Sequence, residues 1–124
     1  MAEAGLDYVA DWINDDMPYA VATAAGRPLA AMPLAYDLSD QRMLLQQHMA
    51  TESFTGAVLA AHSALEAEAS GTGGGRILCL AVTPWLMGQP HRIRALGALL
   101  DELLGRGSIW PATGGEILDA WRAG

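Results

Sequence analysis

The sequence has one cysteine, Cys79, and seven basic residues against fourteen acidic ones. A lone cysteine excludes an internal disulfide and is compatible with a reducing compartment, so a cytoplasmic location is expected. The net charge of −7 is nowhere reversed by a basic cluster. Nucleic acid and anionic membrane surfaces would both repel such a chain on average, and neither is an expected partner. No stretch approaches the roughly eighteen uncharged apolar residues that a membrane-spanning helix needs. The opening MAEAGLDYVADW lacks the basic-then-apolar order of a secretory signal.

What is present is apolar material: 52% of the 124 residues are hydrophobic and only 17% charged. That composition must bury a core, and the length fits one domain. From Asp7 to Tyr19 acids and aromatics alternate irregularly, and Asp15-Asp16 before Pro18 reads as a turn or loop. Two short apolar runs, Ala20 to Ala24 and Leu29 to Leu34, flank Gly26-Arg27-Pro28 and suggest a hairpin or a strand with a bend. Tyr36 to Asp40 is loop chemistry again. Phe54, Val58, Ala61 and Leu65 recur at helical steps behind Thr51, which can cap a helix running to about Glu68. The SGTGGG run, 70–75, predicts a flexible break. Arg76 to Val82 is almost wholly apolar and reads as a strand covered on both faces. Pro84 ends it, and Pro90 occupies the first turn of a helix whose stripe is Ile93, Leu96, Leu100, Leu103 and Leu104. Gly105 and Gly107 close that helix. Ser108 to Pro111 reads as a short strand or a crossing segment, and Thr113-Gly114-Gly115-Glu116 predicts a capping box for a last helix through Trp121. The order is that of an α/β protein with three or four strands and three helices. A complete (β/α) barrel needs about 250 residues, so only an open sheet or part of a barrel fits.

The chemistry read from the residues alone is sparse. His48, His62 and His91 lack the i,i+4 spacing of a metal pair, and His62 at the border of an apolar helix face reads as packed or solvated. Asp7, Asp11, Asp15 and Asp16 read first as a solvated acidic loop, and alternatively as a group that holds a cation or an arginine. Cys79 within an apolar run is an inert thiol. The glycine run precedes a strand and lacks the Gly-Lys-Ser/Thr ending of a phosphate loop. Arg92 and Arg94, beside His91 at a helix start, read as surface ion-pair residues, with anion contact as the lesser reading. Trp12, Tyr19, Trp85, Trp110 and Trp121 sit at loops or element ends, where aromatics either line a pocket or cover a core.

Three motifs, in order, carry a resemblance. LAVTPWLMGQPHRIRALGALLDELL, 80–104, is similar to the late strand, loop and helix of the polysaccharide deacetylase (NodB-homology) superfamily, in its allantoinase-like branch. Gly88, Pro90, Arg92 and the leucine pattern match that family's Gly-x-Pro-x-Arg helix start. SIWPATGGEILDAW resembles its final strand and helix, and DYVADWINDDMPY its Asp-Trp and Asp-Asp-x-Pro-Tyr segment. The resemblance implies part of a distorted (β/α) barrel, corresponding to the carboxyl-terminal half of the family domain. It also implies a parent activity, hydrolysis of amide or cyclic-amide C–N bonds by a metal-activated water.

Two departures accompany it. The family's Thr-Phe-Asp-Asp and His-x-x-x-His motifs, which carry the Asp-His-His metal set for zinc or a similar ion, are absent from this sequence. Thr83 stands where the late motif has its histidine, the general acid, and a threonine hydroxyl has no pKa near neutrality. By match, Trp12, Asp15, Asp16 and Tyr19 are pocket-wall residues, and Thr83 and Trp85 face the same pocket. No metal or other cofactor is expected for this chain alone. The expectation is a truncated or split family member, non-catalytic by itself, that self-associates or joins a partner chain to complete the barrel. An active C–N hydrolase assembled with a partner or second copy, and a metal-free small-ligand binding module, are the other two readings.

Overall fold

The structure, a computed structural model, describes residues 2–12 and 14–124. The segment DYVADWINDDMPY is therefore described apart from Ile13. The chain divides into two compact units, Met1–Leu34 with Pro111–Gly124, and Ala35–Trp110.

The first unit is built on a three-stranded sheet of order β1-β3-β2. After a short 3-10 turn, Ala2–Ala4, come β1 (Tyr8–Trp12), β2 (Tyr19–Val21) and β3 (Leu29–Pro33). β2 and β3 pair antiparallel, with Ala20 opposite Ala30. This is a hairpin rather than a bent strand around Gly26, whose φ of +69° suits a residue without Cβ. The Gly26 N–H donates to the Thr23 carbonyl at 3.0 Å, closing the turn. β1, expected as loop, is instead a strand parallel to β3, with Tyr8 opposite Ala30 and an irregular register between Val9 and Trp12. Its polar residues do not alternate cleanly because only Val9 is buried there. The central strand β3 is buried along its whole length, so ladder bonds on both edges and small alanines on its faces replace an alternating pattern.

Helix α4 (Gly114–Ala123) covers this sheet by packing Leu118, Ile117 and Trp121 against Ala30 and Met32. Its start is the predicted capping box. The Thr113 N–H donates to Glu116 Oε2 at 2.7 Å, and the Glu116 N–H donates to Thr113 Oγ1 at 3.3 Å. Two helix-end donors are satisfied reciprocally. Asp7 accepts from Arg27 at 3.2 Å and faces Arg122 at 3.8 Å, so this acid holds arginines.

The second unit is helical. A 3-10 turn (Tyr36–Leu38) and a π-helical stretch (Gln41–Gln46) lead to α1 (Thr51–Thr72), α2 (Pro84–Met87) and α3 (Ile93–Gly105). Ala50, not Thr51, is the N-cap residue of α1, and no side chain caps it. α1 extends past Glu68 into the glycine-rich run and ends on Gly73 at φ +71°, a left-handed cap. Phe54 and Val58, with Met43, Leu44, Leu86, Met87, Leu99 and Leu103, form the core.

Two further expectations are corrected here. Residues 76–82 join no ladder among the described residues, although Leu78 and Leu80 pack on the core. A strand needs a neighbour, and here that apolar run has none. Residues 108–111 form no strand, which leaves the crossing-segment reading of the two. α3 starts at Ile93, after a turn containing Pro90, and buries Leu99 and Leu103 while Ile93, Leu100 and Leu104 are exposed. Leucines at 96, 99, 100, 103 and 104 make two adjacent stripes, and the core takes the one through Leu99. No helix among the described residues is long and apolar enough to cross a membrane.

Candidate functional site

Thr83 is the chemically most engaged of the predicted site residues. It ends the 76–82 segment as the residue before α2, where Pro84 at the first helical position continues without needing an N–H. Its backbone N–H donates to Asp40 Oδ2 at 2.6 Å, and its hydroxyl donates to Asp40 Oδ1 at 3.0 Å. The Gln41 side-chain amide donates to the Thr83 hydroxyl at 3.0 Å. Asp40 is 1% exposed, and its own N–H donates to the Ala81 carbonyl at 3.3 Å. A buried carboxylate thus ties the end of the apolar segment to the start of the π-helical stretch, across 43 residues of sequence. π-helical geometry is uncommon and often accompanies functional positions.

Asp40 was not readable as a site residue. It falls in YDLSD, which looks like solvated loop, and its hydrogen-bond partners Ala81 and Thr83 are distant in sequence.

The other predicted residues fall as follows. Trp12 and Tyr19 stack, with ring centroids 6.4 Å apart and an interplanar angle of 17°. Trp12, 46% exposed, lines an open groove with Asp11, Glu3, Val21 and Thr23. The Tyr19 hydroxyl donates to Asn14 at 3.0 Å. Asp15 serves its own turn, accepting from the Asp16 and Met17 N–H groups at 2.8 and 3.2 Å. Trp85 on α2 is 58% exposed. Trp12, Asp15, Asp16 and Tyr19 belong to the first unit, Thr83 and Trp85 to the second.

His62 is buried at 6% exposure, one of the two readings offered for it. Its Nδ1 lies 2.9 Å from an Arg106 guanidinium nitrogen, which also donates to Ser63. Arginine is always a donor, so Nδ1 is the acceptor of this bond. This cluster ties α1 to the end of α3. Arg92 and Arg94, expected in surface ion pairs, have no carboxylate partner among the described residues. Arg92 instead reaches the Leu86 carbonyl at 3.5 Å. The resemblance implies a metal, so the donor set matters. Among the described residues no three His, Cys, Asp or Glu side chains come together in a group able to hold an ion, and no residue of this chain is assigned to one.

The chain has the fold of part of a polysaccharide deacetylase-type protein of the allantoinase-like kind. Against the crystal structure of PuuE allantoinase the TM-score is 0.87 at 26% identity, covering 98% of this chain and 40% of that one. Against a protein of Pseudomonas aeruginosa PAO1 assigned to the polysaccharide deacetylases it is 0.86 at 27% identity, covering 99% of this chain and 41% of the other. A Mycobacterium smegmatis protein with the same assignment shares the fold, at a TM-score of 0.76 and 23% identity, covering 98% and 43%. This chain therefore spans about two-fifths of the length of the solved structures it matches. No protein-family model matches the sequence, and neither does any curated protein.

Proposed function

We propose that this chain is a truncated or split member of the deacetylase/allantoinase-like group, non-catalytic by itself, and that it acts as an accessory part of a larger assembly. The observation that carries this reading is Thr83. The motif match sets it at the family's histidine, and its hydroxyl proton is directed at the Asp40 carboxylate. A hydroxyl with no pKa near neutrality, already donating to a buried anion, is not a general acid at neutral pH. Trp85, Leu100, Leu104 and Trp110 are each exposed, apolar side chains available for burial by another chain. The sole cysteine fits assembly in the cytoplasm.

A second reading, a metal-free module for a small ligand, is favoured by the Trp12–Tyr19 stack at the groove of the first unit. Metal content by inductively coupled plasma mass spectrometry, native mass, and hydrolysis of cyclic amides and acetylated sugars separate the possibilities. The expected result is a chain without stoichiometric metal and without hydrolysis, whether alone or as the Thr83→His variant. Stoichiometric metal with turnover by the isolated chain overturns the proposal. Saturable binding of an amide ligand that quenches Trp12 fluorescence, without turnover, favours the second reading.

A further inference from the structure

We propose that the exposed face of α3 is a docking seam for a second copy of this chain, joined antiparallel about a two-fold axis. The seam lies wholly within the second unit. It rests on the assembly reading above and gives that assembly a surface and an occupant.

Helix α3 carries two apolar faces. Leu99 and Leu103 are buried in the core of the second unit, with Leu96 packed beside them. Ile93, Leu100 and Leu104 are 46, 40 and 54% exposed and belong to neither core cluster. With Gly97 they follow one another at steps of four, three and four residues. That is the spacing which sets a row of side chains along one side of a helix and against a partner helix. A single exposed leucine needs no explanation, but a row in heptad register does. Gly97 gives the row a notch, because no atom lies within 4 Å of the place its side chain would occupy. Glycine inside a helix costs stability relative to alanine. An open notch in an apolar row is the shape that receives a leucine from a facing helix.

Charge selects the occupant. Arg94 and Asp101 each follow a member of the row by one residue, Arg94 after Ile93 and Asp101 after Leu100, so both flank it on the side away from the core. Both are exposed, and neither has an ion-pair partner among the described residues. The nearby Arg106 is already held by Glu102 at 2.9 Å and by His62. When a second α3 is turned end for end about an axis between Gly97 and Leu100, each Leu100 meets the opposite Gly97 and each Ile93 the opposite Leu104. In that register Arg94 of either copy faces Asp101 of the other. Parallel pairing would set these charges against Leu96 and Leu103, which the core already takes. A second copy thus supplies the complement by symmetry alone. Each copy carries −7 overall, but that repulsion is screened beyond about 8 Å at physiological salt, and at the seam one cation and one anion per copy cancel. A four-position row belongs with small interfaces, below about 1,200 Å², so the dimer is expected to be reversible and micromolar.

The test is sedimentation equilibrium on the full chain over a concentration series, with variants placed only at exposed positions. The unaltered chain passes from monomer to dimer. Leu100→Glu weakens the dimer by about 100-fold and leaves the monomer's melting temperature unchanged. Gly97→Leu fills the notch, so it weakens the dimer while raising the monomer's melting temperature through helix propensity. Arg94→Asp and Asp101→Arg each turn two attractive contacts into two repulsive ones and weaken self-association by about 10-fold. The double variant regains the lost affinity. Mixed together, the two single variants pair with each other in preference to themselves, since the all-acidic flank of one then meets the all-basic flank of the other.

A chain that stays monomeric throughout overturns the proposal, and so does a dimer indifferent to these variants or a mixture that fails to pair. Hydroxyl-radical labelling that finds Leu100 and Leu104 shielded in the dilute monomer also overturns it, because the face is then covered within the chain. Shielding that appears only in a complex with a different polypeptide overturns it in favour of that partner. Metal and turnover assays on the same samples keep the two readings apart. A metal-free, inactive monomer removes the seam and leaves the non-catalytic reading standing. A seam dimer with stoichiometric metal and turnover supports the seam and removes that reading.

Discussion

The two compact units solve the problem of a stable core in different ways. The helical unit relies on volume: Phe54, Met87 and Val58 are fully or almost fully buried, surrounded by leucines and methionines from α1, α2, α3 and the π-helical stretch. The sheet unit relies on backbone. Its central strand buries Ala30 and Ala31, and its side-chain cluster is little more than Met32 and Leu118 with the partly buried Ile117 and Trp121. Where side chains are small, ladder bonds on two edges and a capped helix do the work that interdigitation does elsewhere. The contrast teaches where each unit is vulnerable: the helical unit to cavities, the sheet unit to loss of a strand or a cap.

The sharpest way to break that contrast is truncation of one core residue in each unit. Phe54→Ala leaves a large cavity at a site with no exposure and is expected to cost about 4 kcal/mol. Leu118→Ala, in the thinner cluster, is expected to cost about 2 to 3 kcal/mol. Hydrogen exchange in α1 and in β3 reads each unit separately. Equal losses would show that the sheet unit depends on side-chain volume as much as the helical one.

The Asp40 clamp comes next. Asp40→Ala leaves the Thr83 N–H and hydroxyl without their acceptor in a half-buried setting, for an expected cost of about 1 to 2 kcal/mol. Asp40→Asn keeps one acceptor and should lose less. Chemical denaturation followed by Trp85 fluorescence checks both. An unchanged midpoint for Asp40→Ala would mean that water replaces the carboxylate and that the end of the 76–82 segment is not held by it.

These cases also show what was legible before the structure. The hairpin was readable because Gly26-Arg27-Pro28 is local turn chemistry, and the capping box because Thr113 and Glu116 sit at the one spacing that makes it. The motifs that resemble the deacetylases were readable because they are contiguous, and the structural likeness agrees with them. What failed was non-local. Residues 76–82 have every local mark of a strand, but a ladder is a property of two segments. β1 looked like loop because its acids break the alternation, yet it needs only β3 beside it. The stripe on α3 was ambiguous because leucines at 99, 100, 103 and 104 offer two faces, and only the position of α1 selects one. Asp40 carried no signal beyond its charge, since its partner Thr83 lies 43 residues away.

The smallest effects probe the cap of α4, on which the sheet unit leans. Thr113→Ala removes the acceptor for the Glu116 N–H and is expected to cost about 1 kcal/mol. Glu116 adds a pH dependence of known sign. Its carboxylate accepts from the Thr113 N–H and, secondarily, from the Thr113 hydroxyl, and these bonds hold its pKa below the usual carboxylate value. Because the folded value is the lower one, the contribution is fully present above the unfolded-state pKa and is lost as pH falls through the folded one. Titration of the Glu116 side chain by NMR, beside exchange rates in α4, follows the loss directly. Fraying of α4 should begin only in the acid range, and in Thr113→Ala the midpoint should move up toward the ordinary carboxylate value. A midpoint that stays depressed in that variant would show that the backbone N–H alone sets it, which would make the hydroxyl a bystander and leave the helix start dependent on main-chain geometry, as the rest of the sheet unit is.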